Sequence, residues 1–172
     1  IAQFFVGFAE ACEKQEKLGC NILAKAFQNG SKSARDAMED PRGGTILTVF
    51  QDLADQVSKS VEDGLDDIYE IMKEGYKAAL QSLEDTPQKL KILKKAGVVD
   101  AGAQGFVDFL TGMMNFIEDG SVKKIDISDL AVSFKEEESE GHHLGEEIDI
   151  NYRYCTECRI KGWNIKKQDL RE

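Results

Sequence analysis

Apolar residues recur at three- and four-residue intervals through most of the first 118 positions, and this is the feature that most constrains the fold. Because 3.6 residues complete a helical turn, that spacing lays one apolar stripe along a helix. Proline ends such helices, and the chain has only two in 172 residues, against an average usage of about 5%. The pattern predicts an all-α protein, an up-and-down barrel or bundle of amphipathic antiparallel helices. Phe4, Phe5, Phe8 and Cys12 form a first stripe, and Ile22, Leu23, Ala26 and Phe27 a second that runs to about Met38. The break between them falls near Leu18-Gly19-Cys20.

Asp40-Pro41-Arg42-Gly43-Gly44 reads as a loop. The clearest stripe follows, with Ile46, Leu47, Phe50, Leu53, Ala54 and Val57 on one side and Gln51, Asp52, Asp55 and Lys59 on the other. After Asp63-Gly64, residues Leu65, Ile68, Ile71, Met72, Tyr76, Ala79 and Leu80 continue the pattern to about Leu83. Thr86-Pro87 predicts another helix start, the threonine hydroxyl capping it and the proline preset at its first position, with Leu90 and Leu93 facing inward. Gly97-Val98-Val99-Asp100-Ala101-Gly102 then leads into a helix from about Ala103 to Glu118, with Phe106, Phe109, Leu110, Met113 and Ile117 in register and Gly120 as its C-cap.

Beyond residue 120 the character changes. The stretch Lys135 to Glu147 is charged and glycine-containing, so it buries too little apolar surface to offset the entropy of ordering it. Ile148 to Cys155 alternates apolar and polar residues, the signature of a strand. The expected organisation is therefore a helical domain over 1–120, an acidic linker over 121–147 and the β start of a second domain over 148–172.

With 41% hydrophobic and 31% charged residues, the chain can bury roughly 70% of its unfolded surface without staples. Its net charge of −10 argues against nucleic acid and anionic membrane surfaces, which need clustered Lys and Arg. No window approaches the ~18 apolar residues of a membrane span, and Ile1 to Val6 lacks the basic region of a signal peptide. A cytoplasmic setting is expected, in which Cys12, Cys20, Cys155 and Cys158 are free thiols or metal ligands.

Two helix entrances carry the candidate chemistry. Gly43-Gly44-Thr45 precedes the strongest helix, where backbone N–H groups and the helix dipole can hold a phosphate; a glycine loop with a threonine cap is the plain alternative. Asp100-Ala101-Gly102-Ala103-Gln104-Gly105 offers close backbone approach to a ligand, or simply an Asp100 cap. Cys155-x-x-Cys158 has the spacing of half a zinc site, without a second half. His142-His143 lies in the acidic stretch and reads as solvated.

Gly44 to Val49, Thr86-Pro87 before Leu90 and Leu93, Gly97 to Gly105, and Tyr152-Arg153-Tyr154-Cys155-Thr156-Glu157 together resemble one family in order and spacing. It is the ATP-binding subunit of bacterial fatty acid kinase, whose N-terminal domain is related to the L subunit of dihydroxyacetone kinase (DhaL-like). The resemblance implies a helical barrel binding Mg-ATP through its inter-helix loops. The acceptor would be a fatty acid carboxylate presented by a DegV-type lipid-binding protein, and the product an acyl phosphate. It further implies that Gly44 and Thr45 contact nucleotide, that Asp100, Ala101 and Gly102 belong to a loop closing over it, and that Cys155 is a Zn²⁺ ligand of the middle domain.

The family's aspartate-rich Mg²⁺ loop and its glycine- and serine-containing phosphate loop have no counterpart in this sequence. Pro87 stands about where the dihydroxyacetone kinase relatives carry an arginine near the nucleotide. The expectation is an internal piece of a kinase, inactive by itself, with apolar faces such as Phe4/Phe8 and Phe106/Phe109 left exposed and able to drive a homodimer. A dihydroxyacetone kinase L-type subunit and a non-catalytic acidic interaction module are the alternatives.

Overall fold

The computed structural model describes residues 1–13 and 15–119. The expectations for Gly120, the acidic linker, His142, His143, the strand at 148–155, Cys155 and Cys158 lie outside the described residues. Seven helices follow in order: α1 (Ala2–Cys12), α2 (Cys20–Asp36), α3 (Ile46–Glu62), α4 (Ile68–Glu84), α5 (Thr86–Lys89), α6 (Lys91–Ala96) and α7 (Ala101–Asp119). No strand occurs among the described residues, so this part of the chain is all-α as its periodicity predicts.

Side-chain pairs give the directions. Phe8 meets Phe27 while the Phe4 carbonyl faces Gly30, so α1 and α2 run antiparallel. Ser31 bonds Gln51 while Gln28 bonds Asp55 and Ser58, so α2 and α3 do the same. α7 begins beside the start of α3, where Ile46 meets Asp100, and ends beside the start of α4, where Tyr69 meets Glu118. It therefore runs with α3 and against α4, packing on both.

Glycine sets the closeness of α1 and α2. A β-carbon on Gly7 would overlap the Ser33 hydroxyl and come within 2.5 Å of the Asn29 carbonyl oxygen, and one on Gly30 would meet the Phe4 carbonyl at 2.9 Å. The two backbones touch because these residues have no side chain.

Phenyl rings fill the space that results. Phe4 stacks on Phe50 at 4.2 Å between centroids, and Phe106 stands edge-on to both, at 5.3 Å from Phe4 and 4.7 Å from Phe50. Leu53, Ala54, Val57, Ile71 and Ala79 extend the core along α3 and α4 with no exposed surface. Each such aliphatic or aromatic side chain contributes roughly 1.5–3 kcal/mol of transfer free energy, Ala79 and Ala54 less.

Several sequence expectations need correction. Phe4 and Phe106 are buried and Phe8 half-buried rather than exposed, while Phe109 is exposed as expected, together with Phe5, Val6, Phe116 and Ile117. The buried side of α7 is Ala103, Phe106, Val107, Leu110 and Met114, a stripe rotated away from Phe109 and Ile117 toward α3 and α4, which pack on it. Leu65 belongs to the loop before α4, whose entrance is capped by the Asp67 carboxylate accepting from Glu70 N–H at 3.1 Å. The helix expected after Thr86 breaks at Leu90, whose backbone is extended, and Leu90 and Leu93 are only half-buried.

Candidate functional site

Both helix entrances singled out in the sequence lie at one end of the described helical bundle. At the first, Thr45 has extended backbone and caps α3 with its hydroxyl, which donates to the Arg42 carbonyl at 2.9 Å and faces Leu47 N–H at a long 3.4 Å. Gly44 donates its N–H to the Thr48 hydroxyl at 2.9 Å and has φ +76°, the left-handed region that favours glycine. It is also walled in: a β-carbon there would come within 2.8 Å of Lys89 Cβ and 3.0 Å of Leu90 N.

At the second entrance, α7 starts at Ala101, so Ala101 and Gly102 form its first turn rather than an open loop. Asp100 precedes it, and one carboxylate oxygen, Oδ2, accepts from Ala103 N–H at 2.8 Å and from Ile46 N–H at 3.1 Å. The same oxygen thus caps two helices whose entrances are 54 residues apart in sequence. Two positive dipole ends share one negative charge, which favours their juxtaposition. Gly102 lies against this junction, its absent β-carbon 3.3 Å from Asp100 Oδ2 and 3.7 Å from Ile46 Cβ.

Thr86 ties the junction to the rest of the fold. It is fully buried, and its hydroxyl donates to the Leu83 carbonyl at 2.7 Å and accepts from Asp100 N–H at 3.1 Å. It is the first residue of α5, and its hydroxyl does not cap that helix; Asp85 occupies the N-cap position, and its side chain accepts from Gln81 at 3.3 Å instead of capping α5. Nearby, Asp52 of α3 accepts from the Ser82 hydroxyl at 2.5 Å and from Lys89 at 3.4 Å, joining α3 to α4 and α5.

A cleft of about 390 Å³ opens beside Thr45, between the start of α1, the end of α2 and the start of α3. Phe50 and Leu47 give it an apolar floor, and Gln3, Asp40 and Arg42 supply polar groups. Arg42 pairs with Asp40 at 3.1 Å, an exposed pair of small energetic weight. Among the described residues, no group of three or more His, Cys, Asp or Glu side chains is placed to hold a metal ion. Cys12 and Cys20 are free thiols.

The structure thus brings together Gly44, Thr45, Asp100, Ala101 and Gly102, whereas Cys155 lies outside the described residues. Sequence reasoning missed the roles of Thr86 and Lys89. The Thr-Pro pair is a local helix signal, and nothing in its spacing announces a partner at Asp100.

A helical bundle in which one carboxylate caps two helix entrances defines a class of helical domain, and comparison with known proteins specifies it. The chain belongs to the DAK2-domain family, the dihydroxyacetone kinase-like group, whose model matches residues 1–115. An uncharacterized protein of Staphylococcus aureus strain USA300 is 34% identical over 177 residues, covering all of this chain and 31% of the relative. A second, from the bovine strain RF122, is 33% identical with the same coverage. The chain therefore spans about a third of the length of the curated relatives it matches. No helix of the described residues is long and apolar enough to cross a membrane.

Proposed function

We propose that this chain contributes part of the nucleotide site of an ATP-dependent phosphotransferase. The observation that carries the reading is the convergence of the α3 and α7 entrances on Asp100 Oδ2, in a chain of a kinase-associated family. When bound, Mg-ATP would supply the phosphoryl group, and what these residues do is position it. Gly44 and Thr45 shape the backbone at one wall, and the first turn of α7 through Ala101 and Gly102 shapes the other. Phosphoryl transfer depends mainly on such positioning and on neutralising charge.

Ile46 N–H and Ala103 N–H already bond the Asp100 carboxylate, so Asp100 serves as the strut between the walls rather than as a phosphate ligand. The neighbouring cleft, where Ile1, Met38 and Ile46 keep exposed apolar surface, offers that surface to a purine base. Mg²⁺ requires several oxygen ligands in near-octahedral array, and the described residues gather no such set. Zn²⁺ at Cys155 stays an expectation drawn from resemblance.

The finer reading is a fatty acid kinase, in which the acceptor is a fatty acid carboxylate presented by a DegV-type protein in the cytoplasm and the product an acyl phosphate. The acidic stretch and the Tyr152–Glu157 segment that follow the helical region support it over a dihydroxyacetone kinase subunit, which ends at its helical domain. Titrating Mg-ATP into the full-length protein that contains this chain tests the kinase reading by calorimetry: saturable binding is expected, and absence of binding overturns it. Supplying lipid-loaded DegV-type protein or dihydroxyacetone as acceptor then separates the two substrates by the product formed.

The exposed rings of Phe5 and Phe109, which meet edge to face at 5.6 Å, favour a second reading as an interaction module or homodimer. Sedimentation of the 172-residue chain with Phe109→Ser decides this: an oligomer that dissolves on substitution supports it, and a wild-type monomer at all concentrations refutes it.

A further inference from the structure

We infer that Thr86 is a positioning residue for the paired helix entrances, its buried hydroxyl fixing the place of the Asp100 strut through the Asp100 backbone N–H. A threonine that merely starts a helix turns its hydroxyl toward N–H groups of its own first turn. Thr86 does otherwise. It donates back to the Leu83 carbonyl and receives the N–H of a residue 14 positions later. With no exposed surface, that hydroxyl has no water to fall back on.

The bonds form one continuous series. Leu83 at the end of α4 holds the Thr86 hydroxyl, which holds Asp100 N–H, while Asp100 Oδ2 holds both Ile46 of α3 and Ala103 of α7. The segment before Asp100 is already defined at its other end. Gly97, at φ +68°, closes α6, and Val98 N–H returns to the Leu93 carbonyl at 3.2 Å. Val99 packs against the core. Thr86 is the contact that sets the remaining coordinate, how far Asp100 stands from α4 and hence where its carboxylate meets Ile46. Removing the hydroxyl while keeping the shape would take from Leu83 C=O and Asp100 N–H the partner they share at the buried Thr86.

The consequence for ligand binding rests on the nucleotide reading above; the positional claim does not. The test uses Thr86→Val, which lacks the hydroxyl, and Thr86→Ser, which restores it. In the ligand-free 172-residue chain, amide hydrogen exchange at Asp100 and Ile46 should quicken by about tenfold in the valine variant, the scale of one lost buried hydrogen bond, and return close to wild type in the serine variant. Unchanged exchange at both amides in the valine variant, or serine behaving like valine, overturns the inference. Should valine unfold the chain, serine decides alone: protection at Asp100 close to wild type supports the role, and its loss refutes it. In the full-length protein, Mg-ATP affinity should fall with valine and recover with serine. A full-length wild type that binds no Mg-ATP removes the nucleotide reading and leaves the exchange result to judge Thr86.

Discussion

At its first turn α3 is held by residues from elsewhere in the chain; at its last turn it is finished by its own neighbours. The near end takes a carboxylate oxygen from Asp100 and presses Gly44 against Lys89 and Leu90. The far end closes with Gly64 at φ +90°, whose N–H returns to the Val61 carbonyl at 3.0 Å while Leu65 N–H returns to Ser60 at 3.0 Å. Three residues after Gly64, Asp67 caps α4 using its own side chain and the N–H of Glu70. Both ends use a left-handed glycine and an aspartate cap. Only at the near end do those devices reach across the fold, and that marks it as the end where several segments must be kept in fixed relation.

The two glycines give the largest expected contrast. Gly44→Ala should destabilise by about 3 kcal/mol, combining the left-handed backbone with overlap against Lys89 Cβ. Gly64→Ala, with nothing within 4 Å of its added methyl, should lose only the backbone share, about 1 kcal/mol. Urea unfolding midpoints at constant slope measure both. Equal losses would mean that the crowding at Gly44 relaxes freely and that the two ends do not differ as described.

The aspartates come next. Asp100→Ala should destabilise by about 2 kcal/mol, since it removes two charge-assisted bonds from a part-buried junction. Asp67→Ala, which removes one exposed cap, should lose about 1 kcal/mol or less. Amide exchange sharpens the comparison: Asp100→Ala should loosen the first turns of both α3 and α7, whereas Asp67→Ala should loosen α4 alone.

The smallest effect lies in the pH dependence of the far end. The Tyr69 hydroxyl donates to the Glu118 carboxylate at 2.7 Å, and this bond, with burial and the negative charges of Glu118 and Glu70 adding to it, raises the tyrosine pKa above its ordinary 10.0. A raised tyrosine pKa means that the folded state favours the protonated form. Its contribution is therefore present in full below the unfolded pKa and is lost as pH rises through the folded one. Tyr69→Phe should lower neutral stability slightly and remove the correspondingly small alkaline decline above about pH 10. An identical alkaline decline in the phenylalanine variant would show that this bond does not report on the far end.

The helices were legible in the sequence because burial on one side leaves a periodic stripe, and α3 with Leu47, Phe50, Leu53, Ala54 and Val57 shows it most clearly. Registration of α7 was misjudged because Phe109 and Ile117 fit the period as well as Val107 and Met114 do, and periodicity does not state which side has neighbours. Gly44, Thr45 and Asp100 were visible as helix-entrance chemistry. Their meeting was not, since a contact across 54 residues is decided by how α3 and α7 pack. Thr86 was read as a local cap for the same reason.

Contact between the backbones of α1 and α2 at Gly7 and Gly30 bears on how the cleft beside Thr45 can adapt. With carbonyl oxygens where side chains would otherwise cushion them, the two helices have little freedom to slide or turn past each other. They form a stiff wall, contributing Ile1, Gln3 and Ala34 to the cleft. Any guest larger than the resting space must then be accommodated by the opposite bank, the connection from Ala37 to Thr45, which is therefore the segment whose length and composition set what the cleft admits.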